Sequence, residues 1–365
     1  MAEGKTRFTG PRENTASYGA AMIPNVNVVT LNGDALERGI QHGQQCRKAL
    51  SKFADDGLCR LNHLGQSALS LSQLGENIER YRICVKTWLP DIAQEIEGLS
   101  IGAEMPLDLA WLLQLRREVL GYNSTTESGD CTTLSSFKGQ SILAQTVDLN
   151  GNLDDFIHIL ECKGTRNSSL ILSFAGLLGY LGLNRAGLAI GLNMVLGGTW
   201  GVGIPPYLVI RHLLDNYDTV EQAVKALRCL PLSSSRSFTL CDKQHLLCVE
   251  ILNNQLRIVE AGYSTAHTNH FLHPDFASHD QINIFAKNSS RQRLEKTREL
   301  LQQEHIDSDD CFSLFTTPPV CVADNGDIRR ERTVAAVVIL PEEGKMLLRP
   351  GNPALSTTQS FSLFN

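Results

Sequence analysis

Residues 121–137 read GYNSTTESGDCTTLSSF, and the character of the chain changes within them. The part before Cys131 is a polar loop rich in Gly, Ser and Thr, a kind of surface segment that tolerates cleavage. Upstream, apolar residues such as Ile92, Ile96 and Leu99 recur at helical spacing, whereas downstream short apolar runs alternate with Gly, Asn and Asp clusters. The sequence therefore predicts a mostly helical first third and a β-rich remainder that starts near Cys131.

The downstream pattern predicts an α+β protein in which two sheets pack face to face under helices. Short meandering strands with few helices between them fit such a sandwich better than a doubly wound parallel sheet. A short strand is expected at 26–31, and Asp34 is expected to cap the helix that follows it. The other predicted strands are 132–137, 141–147, 156–160, 170–174, 188–193, 237–240, 246–252, 255–259, 333–340 and 346–348, with helices near 206–229 and 290–303.

Composition and charge exclude several classes of protein. With 365 residues, 42% of them hydrophobic and 20% charged, the chain is not disordered, collagenous or coiled-coil. The net charge is −6 and no basic run is present, so we expect no nucleic-acid partner. No apolar run reaches the roughly 18 residues of a membrane span, and the first residues lack the apolar core of a signal peptide. We therefore expect a cytoplasmic protein that acts on a small molecule or peptide.

Metal and phosphate sites are not favoured by the sequence. Residues 4–6 (GKT) resemble the end of a phosphate-binding loop but lack the upstream glycine. His267, His270, His273 and His279 lie within thirteen residues, yet no Cys or carboxylate recurs near them at a ligand spacing. The ten cysteines are scattered without a CxxC pair, which indicates reduced thiols in a chain without a signal peptide. No cofactor or metal is expected.

Cys131 is the cysteine whose position suggests chemistry. If the Asp130-Cys131 bond were cut, Cys131 would carry both a thiol and an α-amine. A free α-amine has a pKa of about 7.7 to 8.0, so one residue would supply both nucleophile and base. The alternative is a buried, inert thiol, which is the commoner role of a cysteine. The papain-like alternative, with His267 as base, fits less well because Cys131 precedes a strand rather than a helix.

Several motifs together resemble the acyl-coenzyme A:6-aminopenicillanic acid acyltransferase family of N-terminal nucleophile (Ntn) hydrolases, which includes N-β-alanyl-amine hydrolases. They occur in the family's order along nearly the whole chain. The downstream motifs are DCTT at 130–133, AQTVD at 144–148, HTNH at 267–270, RTV at 332–334 and PGNP at 350–353. The upstream motifs are Gly33, ERG at 37–39, HG at 42–43, PDIAQEIEG at 90–98 and RE at 117–118.

The resemblance implies a four-layer αββα domain over 1–365, made as a precursor. Self-cleavage at Asp130-Cys131 would give a mostly helical chain 1–130 and a chain 131–365, which stay associated. Cys131 matches the nucleophile, and Asp148 matches the aspartate that holds the new α-amine. Asn269 matches the asparagine that donates to the oxyanion, and Thr133 matches a threonine near the nucleophile.

The family's site also contains an arginine, and more than one arginine of this chain could correspond to it. Arg330 aligns best, although Arg329 and Arg332 are close to it. Asn193, at the end of a predicted strand, is a candidate second oxyanion donor. The chain also has Asp130 where family members often have glycine before the nucleophile, which makes self-cleavage an open question because glycine adapts to strain more readily.

The favoured function is hydrolysis of a small linear N-acyl amide, for example an N-β-alanyl amine, through an acyl-enzyme on Cys131. An acyl-coenzyme A-dependent N-acyltransferase is the second hypothesis, and an unprocessed, non-catalytic binding protein is the third. No membrane partner is expected, and the sequence leaves the oligomeric state open.

Overall fold

The computed structural model describes residues 25–121, 131–163 and 166–364. Its helices are α1 (Ala35–Asp55), α2 (Leu61–Leu64), α3 (Leu71–Trp88), α4 (Pro90–Ala103), α5 (Leu107–Leu120), α6 (Pro206–Asn216), α7 (Val220–Leu227), α8 (Pro274–Ala277), α9 (Ile284–Leu300) and α10 (Ser308–Phe315). Its strands are β1 (Asn27–Leu31), β2 (Thr132–Ser136), β3 (Ile142–Leu149), β4 (Ile157–Cys162), β5 (Ser169–Phe174), β6 (Leu181–Asn184), β7 (Ala189–Met194), β8 (Arg236–Cys241), β9 (Leu246–Leu252), β10 (Gln255–Ala261), β11 (Ser264–His267), β12 (Arg332–Leu340), β13 (Lys345–Pro350) and β14 (Gln359–Ser362).

The strands form two sheets. The larger sheet has the order β1-β4-β5-β6-β7-β8-β9-β10, and the smaller has the order β11-β2-β3-β12-β13-β14. Neighbouring strands are antiparallel except β1 and β4, which run parallel. β1 belongs to the predicted chain 1–130 and β4 to the predicted chain 131–365, so the larger sheet contains strands from both.

Helices cover the outer face of each sheet. On one side α1 packs on β1 and α4, while α6 packs on β5, β6 and β7. On the other side α9 contacts β2 and β11, and α10 contacts β3 and β12. The inner faces meet where β2 and β3 contact β7 and β8. The layers therefore run helix, sheet, sheet, helix, which confirms the α+β, four-layer αββα sandwich.

Apolar side chains fill the spaces between these layers. The larger core includes the fully buried Trp111, Phe238 and Leu50, and a second core between the smaller sheet and its helices includes Phe312 and Phe315. Each such side chain contributes about 1.5 to 3 kcal/mol when it is removed from water. These two cores hold the helices and sheets together.

The helix α1 begins where the sequence predicts. The Asp34 side chain accepts a hydrogen bond from the Glu37 N–H, and the Glu37 carboxylate accepts one from the Asp34 N–H. Further along, a Cβ on Gly39 would collide with the carbonyl oxygen of Glu95. Glycine thus lets α1 and α4 cross with their backbones in contact, which brings Arg38 against Glu95.

Most predicted strands occur within a few residues of their expected bounds. The sequence missed β6, β11 and β14, each of four residues, because so short a segment hardly shows a two-residue alternation. The helical pattern at 206–229 is two helices, since Thr219 caps a new helix after a break. The polar loop at 122–130, Asp130 included, and residues 1–24 lie outside the described residues.

No helix in the described part of the chain is both long and apolar enough to cross a membrane.

Two histidines form a buried hydrogen-bonded pair between α1 and β4. The Nε2 atoms of His42 and His158 are 3.2 Å apart, and His158 Nδ1 lies 3.1 Å from the Phe156 carbonyl oxygen. Because a carbonyl only accepts, His158 carries its proton on Nδ1 and accepts from His42 through Nε2. Burial lowers the pKa of His158 to about 4 and also lowers the pKa of His42. Both rings are therefore neutral near pH 7.

This pair predicts a loss of stability in mild acid. Between pH 6.5 and about 4 the unfolded chain binds more protons at His158 than the folded chain does. The free energy of unfolding therefore decreases as the pH is lowered through this range. The full shift is equivalent to about 3 kcal/mol. Urea unfolding near pH 7.5 and pH 5 should show a smaller acid loss for His158→Gln than for the natural protein. His245→Gln, at an exposed histidine, is the control, and equal acid losses in all three proteins would contradict the assignment.

Candidate active site

Cys131 lies immediately before β2 and is only 4% exposed. Its Sγ lies 3.4 Å from the Asp148 backbone nitrogen, which donates to it, and 3.7 Å from the Asp148 carbonyl oxygen. The Tyr180 Oη is 3.9 Å away. Burial raises the pKa of the Cys131 thiol to about 12, and the Asp148 carboxylate acts in the same direction. In the uncut chain the thiol is therefore protonated near neutral pH and is a poor nucleophile.

The carbonyl group of Cys131 is held by two donors from distant parts of the chain. Asn193 Nδ2, on β7, donates to this oxygen at 3.0 Å, and Arg293 Nη1, on α9, donates at 2.8 Å. The same Nη1 donates to Thr132 Oγ1 at 3.0 Å. These contacts fix the backbone on the C-terminal side of the thiol, so the sulfur has a defined position.

The amide of Asn269 has a defined orientation close to the same backbone. Its Oδ1 accepts from Arg293 Nη2 at 3.0 Å, and its Nδ2 donates to the Met194 carbonyl oxygen at 2.9 Å. Because a guanidinium only donates, the oxygen of the amide must face Arg293. Its NH2 group therefore faces away from Arg293, on the side where it donates to the Met194 carbonyl oxygen.

The predicted residues separate into two groups. Asp148 contacts the Cys131 thiol and lines the pocket beside it, whereas Asn193 donates to the Cys131 carbonyl oxygen and Asn269 is linked to that oxygen through Arg293. Thr133 is fully buried on β2 opposite Gln145, and it is not among the described residues that line the pocket beside Cys131. Thr132, its neighbour, is the threonine that contacts Arg293.

Arg330 lies on an exposed turn before β12 and likewise does not line the pocket. Arg329 pairs with Asp327, and Arg332 pairs with Asp154. Among the described residues, the arginine that contacts the Cys131 backbone is Arg293, which is fully buried. Sequence reasoning missed it because α9 carries several basic residues and no local signal distinguishes the buried one.

A pocket opens beside Cys131, lined by residues of α5, β3, β7 and α6. It encloses about 800 Å³ of empty space, its mouth included. Its walls are largely apolar and aromatic, and Tyr180 and Tyr207 stack with ring centroids 5.2 Å apart. Its charged lining residues are Arg116, Arg117, Asp148, Arg236 and Glu331. The site therefore combines the Cys131 thiol with a partly enclosed cavity, which suits attack on a bound carbonyl group, while Asn193 and Asn269 are not among the described residues that line this cavity.

Among the described residues, one group of side chains could hold a metal ion, and it does not include the histidines at 267–279 that were weighed and disfavoured from sequence. His42, Cys46 and His158 each offer one possible ligand atom, a ring nitrogen or the thiol sulfur, and these three atoms lie within 4.8 Å of one another. The two Nε2 atoms bond to each other, whereas His42 Nδ1 is buried without a hydrogen-bond partner among the described residues. His267, in the group considered from sequence, lies 2.8 Å from Glu250 Oε1 and 2.7 Å from the Thr268 carbonyl oxygen.

Comparison with known proteins bears on the chemistry of this site. The family model described as "Acyl-coenzyme A:6-aminopenicillanic acid acyl-transferase" matches residues 136–355. The 40 kDa form of acyl-coenzyme A:6-aminopenicillanic-acid-acyltransferase from Emericella nidulans is 25% identical over 276 residues, which are 72% of this chain and 74% of that protein.

Several solved structures are similar to this one. Penicillin V acylase from Agrobacterium tumefaciens has a TM-score of 0.45 at 16% identity, over 64% of this chain and 86% of that one. The C2A mutant of conjugated bile acid hydrolase from Clostridium perfringens has a TM-score of 0.45 at 11% identity, over 64% of this chain and 97% of that one. The Caenorhabditis elegans orthologue of N-acylethanolamine-hydrolyzing acid amidase has a TM-score of 0.43 at 17% identity, over 64% of this chain and 100% of that one.

Proposed function

Because the chain belongs to the acyl-coenzyme A:6-aminopenicillanic acid acyl-transferase family, we propose that it is a self-processing cysteine amidohydrolase with Cys131 as its nucleophile. One observation carries the proposal: the Cys131 thiol lies at the wall of an enclosed pocket, and Asn193 and Arg293 hold its backbone. Members of this family act on amide bonds, and the thiol is placed where a bound amide carbonyl could meet it.

Cleavage of the Asp130-Cys131 bond would convert Cys131 from an inert residue into an active one. The new α-amine, with an ordinary pKa of about 7.7 to 8.0, would replace the amide nitrogen beside the thiol. The buried carboxylate of Asp148 would hold this amine. The neutral amine would then take the thiol proton as the sulfur attacks the substrate carbonyl. Before cleavage no such base is attached to Cys131, so the precursor is a zymogen.

The remaining steps use the groups around the thiol. The oxygen of the tetrahedral intermediate would accept a hydrogen bond from the Asn269 amide, whose orientation Arg293 fixes. The protonated α-amine would return its proton to the leaving nitrogen, so the C–N bond breaks and an acyl-Cys131 thioester remains. Water, deprotonated by the same amine, would then release the acyl group as a carboxylic acid.

The proposed substrate class is a small linear N-acyl amide, of which an N-β-alanyl amine is one example. The second candidate is acyl transfer from a coenzyme A thioester to an amine, and the acyltransferase named by the matching family model favours it. Both reactions pass through acyl-Cys131. They differ in whether free acid forms without an added amine.

The two products of self-cleavage would remain associated. β1 from the chain 1–130 pairs with β4 from the chain 131–365. Glu95 on α4 also binds Arg211 on α6, with 2.8 Å between Oε2 and Nη2. Separating the chains would expose a sheet edge and a buried charge, both of which are unfavourable.

A trapped acyl-enzyme is the expected result that tests the mechanism. Purified protein is mixed with a panel of N-acyl anilides, quenched in acid within seconds and analysed by intact mass. The fragment starting Cys-Thr-Thr-Leu should gain the mass of the acyl group, on a peptide that contains Cys131. Free carboxylic acid that forms without an added amine indicates hydrolysis. A new amide that forms only when an amine is added, with no free acid in its absence, indicates transfer. One uncut chain that binds ligands without any adduct would favour the non-catalytic binding protein instead.

A further inference from the structure

The pocket beside Cys131 contains a buried cation that the proposed chemistry does not use. Arg236 begins β8, lines the pocket and is only 1% exposed. Its Nη1 donates to the Ser235 carbonyl oxygen at 2.7 Å. Its Nη2 is buried and has no hydrogen-bond partner among the described residues. An unpaired donor on a buried charged group is unfavourable, so the site is incomplete without an acceptor.

Aromatic rings fix the guanidinium of Arg236 relative to the thiol. The guanidinium carbon, Cζ, lies 5.1 Å from the ring centre of Trp200 and 6.0 Å from that of Tyr207. Tyr207 stacks on Tyr180, whose hydroxyl oxygen is 3.9 Å from Cys131 Sγ. The wall of the pocket therefore leads from the thiol across two stacked rings to the guanidinium. A linear ligand along this wall can place a carbonyl at Cys131 and a second polar group at Arg236.

The nearby carboxylates leave the charge of Arg236 available to a ligand. Glu118 is buried on α5, where burial raises the pKa of its carboxyl and the nearby charge of Arg236 opposes that rise. Its Oε1 accepts from Ser233 and Ser234 at 3.1 and 3.5 Å, and its Oε2 forms no hydrogen bond with Arg236. Arg236 forms no ion pair with a carboxylate of the described residues. The lining contains two further cationic side chains, Arg116 and Arg117, and two anionic ones, Asp148 and Glu331. The pocket therefore has one more cationic than anionic side chain in its lining.

We propose that Arg236 binds a carboxylate of the substrate, so that the enzyme prefers amides carrying a carboxylate several bonds from the scissile carbonyl. The proposal rests on the proposed function and narrows its substrate class. A carboxylate suits the site because it is planar, as the guanidinium edge is, and carries one negative charge. This narrowing removes N-β-alanyl amines, the example given under the proposed function, from the preferred substrates, because like-charge repulsion at Arg236 would disfavour their cationic end.

The test measures binding with three matched ligands that contain no amide or thioester bond. They are 5-phenylpentanoate, 5-phenylpentan-1-ol and 5-phenylpentan-1-amine, titrated calorimetrically into the purified full-length protein at about pH 7.5. The carboxylate should bind more tightly than the alcohol, and the amine should bind most weakly. In Arg236→Gln the affinity for the carboxylate should fall on the order of 100-fold, while the affinity for the alcohol stays unchanged. Arg236→Lys should keep part of the preference, because lysine retains the charge without the planar fork.

Controls distinguish binding at Arg236 from a change in net charge, from loss of the folded state and from catalytic turnover. Arg228→Gln makes the same charge change at an exposed residue outside the pocket and should leave all three affinities unchanged. Thermal melting shows whether each variant is folded, and the preference of the natural protein decides the question if Arg236→Gln is not. Equal binding of carboxylate and alcohol, no binding of either, or an unchanged preference in folded Arg236→Gln would each overturn the proposal. None of the three ligands can be hydrolysed, so this binding test does not depend on catalysis. A carboxylate preference here, combined with no acyl-Cys131 in the experiment with N-acyl anilides, would reject only the proposed function.

Discussion

Replacing Cys131 by alanine is expected to abolish both self-cleavage and turnover and to leave one chain of 40.2 kDa. The variant lacks the sulfur that would receive the acyl group in either reaction. Loss of an enzyme's nucleophile lowers kcat on the order of a millionfold. A denaturing gel with intact mass shows the missing fragments, and release of aniline from an N-acyl anilide measures the missing activity.

Two further variants make the result specific to Cys131. Cys131→Ser keeps a hydroxyl nucleophile and should cleave itself slowly, giving a fragment whose first residue is serine in place of cysteine. Cys229→Ala removes an exposed thiol far from the pocket and should behave like the natural protein. Normal fragments or normal turnover in Cys131→Ala would reject Cys131 as the nucleophile.

Removing the Glu95 carboxylate should cause the largest loss of stability. Glu95 Oε2 accepts from Arg211 Nη2 at 2.8 Å and from Arg38 Nη2 at 3.2 Å, and all three side chains are buried. Asp215 pairs with Arg211 at 2.8 Å. In Glu95→Ala two buried guanidinium groups would share one remaining carboxylate. Leaving a buried charge uncompensated lowers the free energy of unfolding by about 3 to 5 kcal/mol.

Urea unfolding measures this loss, with a matched control on the same helix. Glu97 also lies on α4 and pairs with Lys86 at 3.7 Å, but that pair is partly exposed. Glu97→Ala should change the free energy of unfolding by at most about 1 kcal/mol, because exposed ion pairs contribute little. Since Arg211 belongs to the predicted chain 131–365, the cleaved Glu95→Ala protein should also separate into its chains at lower urea. Similar losses in the two variants would contradict the role given to the buried network.

The general architecture could be predicted because its signals are local. Apolar spacing around Ile92 and Ile96 marks a helix, and Asp34 is a cap that needs only its next few residues. The strand at 246–252 was predicted to the residue for the same reason. Short strands such as Leu181–Asn184 were missed, since they are defined by pairing with neighbours rather than by their own pattern.

The candidate site was only partly predictable. Cys131, Asp148 and Asn269 could be selected because each stands inside a recognisable motif. Arg293 could not, because it sits 162 positions from Cys131 in the chain and its neighbours on α9 include other basic residues. Arg330 was preferred on alignment alone, and the structure shows it on an exposed turn.

The α+β sandwich, the change from helices to strands near Cys131 and the resemblance to the family could all be recognised from the order of the residues. These follow from spacing, capping and motif order, which are properties of neighbouring residues. Tertiary structure alone decided that Arg293 holds the Cys131 carbonyl, that His42 pairs with His158 and that Arg236 shares a pocket with the thiol. Each of these depends on groups brought together by sheet pairing and helix packing, and burial then determines their hydrogen bonds and charges.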